Sequence, residues 1–200
     1  EADWDKNFDI KNVLPNFLLA SKNDCSYYIF TSQFLIGDIW EFFYECKMSH
    51  VSYNIWFKPN PMPCLPKRHW TWSNEIAAYA TRGKHIFNFP KEGHAFSVWT
   101  FTKKSDGTHP TQKPIELLQH IIWHSSNEKS LIVDLFLGSG STLIACEKNN
   151  RKCFGMEIDP HYCQVIIERY LKFTNKQDVF LLNEGAKIPW PELLTCRAKP

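Results

Sequence analysis

The sequence lacks the cysteine patterns that hold a structural metal or a disulfide framework. It contains seven cysteines, an odd number, and no two of them stand at the C-x-x-C spacing. Structural zinc ligands usually come in closely spaced pairs, and a disulfide framework uses its cysteines in pairs. We therefore expect free thiols, a reducing compartment such as the cytoplasm, and no bound metal.

Long apolar segments and an export signal are also absent. No stretch approaches the about 20 apolar residues that cross a bilayer, and the first residues do not form a signal peptide. A membrane is therefore not expected as a partner. The length of 200 residues suits one domain, and the start without a methionine suggests a fragment or a processed chain.

A strong excess of one charge is missing as well, since 23 Lys and Arg residues stand against 21 Asp and Glu residues. The chain is therefore not a polycation, and any nucleic-acid surface must be a local patch. Aromatic residues are abundant, with 8 Trp, 7 Tyr and 15 Phe. This content is compatible with stacking on bases, although most of these rings are expected in the core.

The stretch from Leu131 to Glu157 predicts a strand, a tight turn, a helix and a second strand. It begins with an apolar run, interrupted by Asp134 and continued up to the first glycine, which predicts a buried parallel strand. The sequence Gly138-Ser139-Gly140 lets the backbone turn sharply. Ser141 and Thr142 are expected to cap the helix that follows.

The second strand of this unit is expected to end at Glu157. In such a unit a nucleotide-like ligand lies over the carboxyl ends of the strands, and an acid at this place bonds ribose hydroxyls. A dinucleotide site needs a third glycine where this sequence has Leu143, which weakens the pyrophosphate interpretation. Asp134, before the turn, suits a positively charged or amino-acid group instead. The plainer alternative is a glycine turn in an ordinary α/β domain.

The other segments alternate between strands and helices, as an α/β domain requires. Strands are expected at 27–31, 51–57 and 178–182, and helices at 34–46, 74–81, 115–124 and 160–173. An antiparallel pair of short strands is expected at 87–89 and 96–101, and an irregular tail from Lys187 onward. The pattern predicts a three-layer α/β sandwich with a mostly parallel sheet.

A helix start suited to an anion is expected at His109-Pro110-Thr111-Gln112-Lys113-Pro114. Thr111 can cap the helix, and Pro114 suits its first turn. Lys113, placed beside the positive end of the helix dipole, would bind a carboxylate. The plainer alternative is an ordinary capped helix with an exposed lysine.

A second candidate site lies in residues 58–72, where four prolines predict an irregular loop. Lys67, Arg68 and Trp72 stand there among further basic and aromatic residues. This composition is typical of a surface that binds phosphates and stacks on bases, so these three are the candidate DNA-binding residues. The plainer alternative is a solvated loop that is packed on the sheet edge by its tryptophans.

The motifs HPTQKP, DLFLGSGS and GMEIDPHY occur in this order and together resemble those of the beta group of DNA amino-methyltransferases. FTSQF and WFKPN match further segments of that group, so the resemblance covers nearly the whole chain. It implies methyl transfer from S-adenosylmethionine (AdoMet) to adenine N6 or cytosine N4 in double-stranded DNA. It also implies one Rossmann-like methyltransferase domain, 1–200, in circularly permuted order, with the catalytic half at about 1–105 and the AdoMet-binding half at about 106–186.

The resemblance also assigns cofactor contacts to particular residues. The carboxylate of AdoMet would meet Thr111 and Lys113, its ribose would meet Glu157, and its methionine part would lie against the glycine turn. The turn residues implied in this way are Asp134, Phe136, Gly138, Ser139, Gly140 and Ser141. No metal is needed for this chemistry, and a homodimer is left open.

One motif of that family has no counterpart in the sequence. The catalytic tetrapeptide, Asp, Asn or Ser followed by Pro-Pro and an aromatic residue, would be expected just upstream of Glu1. In the family it binds the target amino group and stacks on a base that has left the duplex. No catalytic residue is therefore assigned, and adenine is only the preferred target. The alternatives are a nicotinamide-dependent oxidoreductase, a non-catalytic AdoMet- or DNA-binding fragment and, more weakly, a small-molecule methyltransferase.

Overall fold

The computed structural model describes residues 9–64, 68–103, 112–176 and 179–190. Within these ranges the chain forms five helices and eight strands. In chain order they are α1 (Ile10–Ala20), β1 (Cys25–Thr31), α2 (Ile36–Glu45), β2 (Ser49–Phe57), β3 (Asn74–Arg82), β4 (Val98–Thr100), α3 (Ile115–Ser125), β5 (Leu131–Asp134), α4 (Ser141–Lys148), β6 (Lys152–Gly155), α5 (Pro160–Thr174), β7 (Phe180–Asn183) and β8 (Ala186–Pro189).

These strands form three sheets rather than the single sheet that was expected. The first sheet has the order β1-β3-β2-β4, in which β3 runs antiparallel to β1 and β2 while β4 runs parallel to β2. The strands β1, β2 and β4 therefore point in the same direction, and their carboxyl ends lie at one edge. The second sheet is the parallel pair β5–β6, and the third is the antiparallel hairpin β7–β8.

Helices cover both faces of the first sheet and make a layered arrangement. On one face, α1 and α2 bury a core with β1 and β3, formed by Ile10, Leu14, Tyr27, Ile29, Ile39, Phe43, Ala78 and Ala80. On the opposite face, α3 buries Leu117 and Ile121 against Trp56, Ala77 and Trp99. The same helix packs Ile122 against Ala145 and Cys146 of α4, with β5 and β6 beneath them. Helix α3 thus contributes to the cores of both the first and the second sheet.

The helix predicted at 74–81 is wrong, because this segment is the strand β3. Its alanines at 77, 78 and 80 favoured a helix, yet all three are fully buried between β1 and β2. A central strand that is covered on both faces does not show the alternation of polar and apolar residues from which strands are recognised. The small side chains also leave room for the helices that pack on either face. Tertiary packing has overridden local propensity here.

The antiparallel pair predicted at 87–89 and 96–101 is also wrong. The described structure has no strand at 87–89, and β4 pairs parallel to β2. Asn88 instead contacts the carboxyl end of α3: its N–H donates to His124 O over 2.6 Å, and its Nδ2 donates to Trp123 O and Ser126 O. These bonds occupy carbonyls that a helix end leaves without partners. The segment therefore caps a helix and does not extend a sheet.

Two further expectations about strands need correction. β5 ends at Asp134, whose side chain accepts a hydrogen bond from Phe136 N over 3.0 Å in an Asx turn. It is parallel, as predicted, but not buried: Leu131 and Val133 are each 41% exposed. The tail expected to be irregular from Lys187 is in part the strand β8, whose partner β7 begins at Phe180.

None of the helices in the described ranges is long and apolar enough to cross a membrane.

A first prediction concerns the core shared by α3 and the first sheet. Leu117 is fully buried, so Leu117→Ala should leave a cavity and lower the free energy of unfolding by about 2–5 kcal/mol. The control is Leu19→Ala on α1, where the side chain is 83% exposed and the change should stay within about 0.5 kcal/mol. Urea unfolding of both variants measures the difference, and similar losses would contradict this packing.

A second prediction concerns pH. His120 of α3 packs against the rings of Trp99, Phe101 and His124. Burial, and then the nearby His124, lower the pKa of His120 below its ordinary value. Below about pH 6.5 the His120 imidazole therefore binds a proton more readily in the unfolded chain than in the folded protein. The free energy of unfolding then falls as pH falls. Urea unfolding at a series of pH values should show that His120→Gln reduces this loss; an unchanged loss would contradict the assignment.

Candidate cofactor site

The glycine turn lies between the carboxyl end of β5 and the start of α4. Gly138 and Gly140 have φ values of 54° and 81°, in the left-handed region where glycine carries no steric penalty. Gly140 N donates to Leu137 O over 2.9 Å and closes the turn, and Ile144 N donates to Gly140 O over 3.2 Å as α4 begins. The predicted reversal from strand to helix is therefore present at this position.

The expectation that Ser141 and Thr142 cap α4 is wrong. The capping position belongs to Gly140, and no side chain makes the capping hydrogen bond. A capping side chain must come from the residue just before the first helical turn, and glycine has none to offer. The first N–H groups of α4 are thus not capped by a side chain at this turn, as in phosphate- and anion-binding helix starts.

Glu157 lies two residues beyond β6 and binds the turn directly. Its Oε2 accepts from Gly138 N over 2.8 Å, and its Oε1 accepts from Asp159 N over 2.9 Å. The carboxylate therefore joins the turn after β5 to the chain after β6. A carboxylate oxygen accepts more than one hydrogen bond, so both oxygens keep capacity for ribose hydroxyls. The role in ribose binding stays a prediction, whereas the structural role was not foreseen.

Ser141, the first residue of α4, carries a buried hydroxyl. Its Oγ makes no hydrogen bond in the structure, and the residue is only 6% exposed. A buried hydroxyl without a partner costs about 1–3 kcal/mol, so native structures rarely leave one. A polar ligand group lying in the turn would satisfy it. The turn residues therefore fit a ligand with polar groups.

Phe136 lies beside the turn and is half exposed. Its ring centroid is 6.4 Å from that of Phe17 on α1, so the first helix reaches the region of the glycine turn. The turn residues Asp134, Phe136 and Gly138 to Ser141 are therefore brought together with Glu157, as the sequence predicted.

Lys113 lies just before α3, at the carboxyl edge of the first sheet. Its Nζ is 3.0 Å from Glu75 Oε2 and 5.2 Å from the centroid of the Phe30 ring. Lys58 reaches the other oxygen of the same carboxylate over 3.4 Å. An ammonium group carries three protons, so the bond to Glu75 does not by itself exhaust its donors. The carboxylate-binding role of Lys113 stays a prediction.

The start of helix α3 differs from expectation in one respect. Helix α3 begins at Ile115, and Pro114 occupies the position before it rather than its first turn. Thr111 lies outside the described residues.

Arg68 and Trp72, two of the three candidate DNA-binding residues, lie outside helices and strands, as predicted. Arg68 is exposed, and Trp72 is 68% exposed, so the ring is not part of the core. Trp70, one of the further aromatic residues of this segment, is 95% exposed. Lys67 lies outside the described residues.

The sequence did not identify two residues that contact the site. Arg169 of α5 donates hydrogen bonds to Ser139, and Glu75 of β3 binds Lys113. Neither residue belongs to a local motif, and Glu75 lies in the segment that was predicted as a helix. Among the described residues, no three His, Cys, Asp or Glu side chains come together as metal ligands would.

Comparison with known proteins gives consistent matches. The profile of a DNA methylase family, N6_N4_Mtase, matches residues 3–168. The type II methyltransferase M2.LlaDCHI of Lactococcus lactis subsp. cremoris is 35% identical over 132 residues, which are 58% of this chain and 49% of that protein. M2.MboI of Moraxella bovis is 29% identical over 195 residues, 87% of this chain and 71% of the relative. The chain thus spans about half of the length of the Lactococcus protein.

Solved structures agree with the fold. The crystal structure of the M1.HpyAVI–SAM complex superposes with a TM-score of 0.75 and 30% identity, over 83% of this chain and 84% of that one. The cytosine-N4-specific PvuII DNA methyltransferase gives a TM-score of 0.67 over 84% of this chain and 77% of that one, at 18% identity, which supports the fold alone. The predicted Rossmann-like methyltransferase fold is confirmed.

A third prediction concerns the turn. A Cβ added at Gly140 would lie 3.2 Å from side-chain atoms of Ile166, and its φ is in the left-handed region. Gly93 has a similar φ of 84° with nothing near its added Cβ. Gly93→Ala should therefore cost only the backbone penalty of about 1–2 kcal/mol, while Gly140→Ala should add about 1 kcal/mol or more from crowding. Urea unfolding compares them, and a smaller loss for Gly140→Ala would contradict the packing.

Proposed function

Because the chain belongs to the DNA methylase family N6_N4_Mtase, we propose that it transfers a methyl group from AdoMet to a base of double-stranded DNA. The acceptor is the exocyclic amino group of a base turned out of the duplex, adenine N6 in preference to cytosine N4. The observation that carries this proposal is the hydrogen bond between Gly138 N and Glu157, which unites the glycine turn and the acid in one site. The likeness to the M1.HpyAVI–SAM complex supports AdoMet as the ligand.

The residues at the turn fit the groups that AdoMet carries. Its ribose hydroxyls suit the Glu157 carboxylate, which keeps acceptor capacity beside its two backbone donors. The positive charges of the ammonium and sulfonium groups of AdoMet are complementary to the Asp134 carboxylate. A polar atom of AdoMet could hydrogen-bond the hydroxyl of Ser141, which has no partner in the structure. Its carboxylate suits Lys113, together with Thr111.

AdoMet, when bound, supplies an activated methyl group on a sulfonium, from which a neutral thioether leaves in an in-line displacement. The chain's own residues contribute binding and orientation. The glycine turn lets the backbone approach the ligand, Glu157 fixes the turn, and Lys113 anchors the far end of the methionine part. Fixing the donor in this way converts a bimolecular encounter into a reaction between positioned groups. No residue of this chain is assigned to the amino proton of the base.

The DNA surface proposed here is the segment that joins β2 to β3. Exposed Arg68, with Lys67 beside it in sequence, supplies charge for phosphates. The exposed rings of Trp70 and Trp72 offer flat faces for stacking on bases. Lys58, at the start of this segment, lies at the same sheet edge as Lys113. The segment therefore begins next to the proposed cofactor anchor.

A fourth prediction tests the cofactor. Isothermal titration should show that the protein binds AdoMet and does not bind NAD. Lys113→Met should weaken AdoMet roughly tenfold because a charged hydrogen bond to the carboxylate is lost. The same variant should bind decarboxylated AdoMet as the wild type does.

The matched control is Lys152→Met, an exposed lysine at the amino end of β6, opposite the turn. It removes the same charge and should leave AdoMet affinity unchanged. Equal losses for AdoMet and its decarboxylated form would refute the role of Lys113, and NAD binding in place of AdoMet would favour an oxidoreductase.

A fifth prediction tests the DNA surface. The double variant Lys67→Ala, Arg68→Ala should weaken binding to all DNA sequences alike. It should also reduce the slope of log affinity against log salt by about two, since each phosphate contact contributes about 0.9. DNA affinity across a salt series is the measurement.

The control changes Lys22 and Lys84, two exposed lysines at the amino end of β1 and the carboxyl end of β3. They lie at the sheet edge opposite to Lys58, so the slope should not change. A folded Lys67/Arg68 variant with the wild-type slope would place the DNA surface elsewhere.

A further inference from the structure

Helix α5 packs against the glycine turn through Ile166 and Arg169. Arg169 Nη1 donates to the carbonyl oxygen of Ser139 and, over 2.8 Å, to the hydroxyl of the same residue. Ile166 lies against Gly140, close enough that an added Cβ would be 3.2 Å away. Ser139 is only 4% exposed, so the contact with the guanidinium is made largely away from solvent. The turn is thus held by contacts with α5 in addition to its bond to Glu157.

The bond to the Ser139 carbonyl fixes one particular peptide unit. The carbonyl of Ser139 and the N–H of Gly140 belong to the same peptide, and that N–H donates to Leu137 O over 2.9 Å. Both ends of the peptide are therefore held, although it lies between residues of a glycine-rich turn. Glycine gains more backbone freedom than other residues when such restraints are lost. Without Arg169, the bond from Gly140 N to Leu137 O is the one that would still oppose rotation of this peptide among the described residues.

The helix that carries Arg169 is itself tied to Glu157. Asp159 caps α5 by accepting from His161 N over 2.8 Å, and its own N–H donates to Glu157 Oε1. Glu157 in turn binds Gly138 N. The glycine turn is thus hydrogen-bonded to Glu157, Glu157 to the start of α5, and α5 to the turn again through Arg169. A ligand in the turn would meet a backbone whose orientation is set before binding, which lowers the entropy cost of binding.

We propose that Arg169 is a positioning residue of the cofactor site: it holds the Ser139–Gly140 peptide in the orientation that receives the methyl donor. The identity of the ligand rests on the proposed function. The restraint of the Ser139–Gly140 peptide rests on the contacts of Arg169 in this structure. The two N–H groups of Arg169 Nη1 are fixed in the plane of the guanidinium, so this one nitrogen donates to both the carbonyl and the hydroxyl of Ser139. Lysine would offer the charge without that geometry.

The structure supplies a closely matched control in Arg151, which precedes β6 at the end of the strands away from the turn. Arg151 Nη2 donates to the carbonyl of Ser126 over 2.7 Å, and its Nε donates to the hydroxyl of Ser126 over 3.1 Å. Both arginines therefore bind the carbonyl and the hydroxyl of one buried serine. Arg151→Met should destabilise the fold in a similar way without reaching the cofactor site.

The test compares Arg169→Met, Arg169→Lys and Arg151→Met at a temperature where circular dichroism shows all three to be folded. Hydrogen–deuterium exchange of the ligand-free proteins should show faster exchange at 138–141 in Arg169→Met and not in Arg151→Met. AdoMet Kd should rise about tenfold in Arg169→Met, stay unchanged in Arg151→Met, and lie between in Arg169→Lys. In steady-state assays of a full-length protein that carries the same substitutions and the upstream catalytic motif, KM for AdoMet should rise while KM for DNA and kcat stay near wild type.

Unchanged exchange in the turn of Arg169→Met, or equal effects of Arg169→Met and Arg151→Met on Kd, would overturn the role of Arg169. Full recovery in Arg169→Lys would show that charge suffices and would overturn the geometric part of the proposal. Failure of the wild-type protein to bind AdoMet would contradict the proposed function instead. The exchange measurement, which needs no ligand, keeps the two failures apart.

Discussion

The carboxylate of Glu157 bridges two backbone N–H groups, those of Gly138 and Asp159. These groups follow different strands, so a single side chain sets how the chain leaves β5 relative to how it leaves β6. Bonds from N–H groups to an ionised carboxylate are stronger than bonds between neutral groups. The conformation of the glycine turn, the start of α4 and the start of α5 all depend on this bridge. The acid proposed to bind the ligand therefore also builds the site, and its replacement would alter both.

A second constraint joins the first sheet to the parallel pair β5–β6. Helix α3 gives Leu117 and Ile121 to the core of the first sheet and Ile122 to the core above β5 and β6. Lys113, two residues before the first residue of this helix, binds Glu75 of the first sheet. The proposed anchor of the methionine carboxylate is thus held by the sheet that also carries the proposed DNA segment.

The sequence predicted the parts of the fold that have local signals. The glycine turn, the acid after β6 and the aromatic strands β1 and β2 follow from short motifs, and the family follows from motif order. Strand β3 could not be predicted, because Ala77, Ala78 and Ala80 favour a helix until the packing on both faces of the sheet is known. Arg169 acts on Ser139, a residue distant in sequence, and an arginine on a helix face carries no sign of such a partner. The cap made by Asn88 likewise depends on a contact that only the folded chain reveals.

The most direct test of the central claim is to locate the bound methyl donor on the chain. Irradiation of the protein with methyl-labelled AdoMet, followed by digestion and peptide mapping, reports which residues contact the ligand. The account predicts that the label falls in the peptides of the turn and of Glu157, within residues 131–157, and that unlabelled AdoMet competes while NAD does not. Label confined to other parts of the chain, or displaced by NAD as readily as by AdoMet, would contradict it.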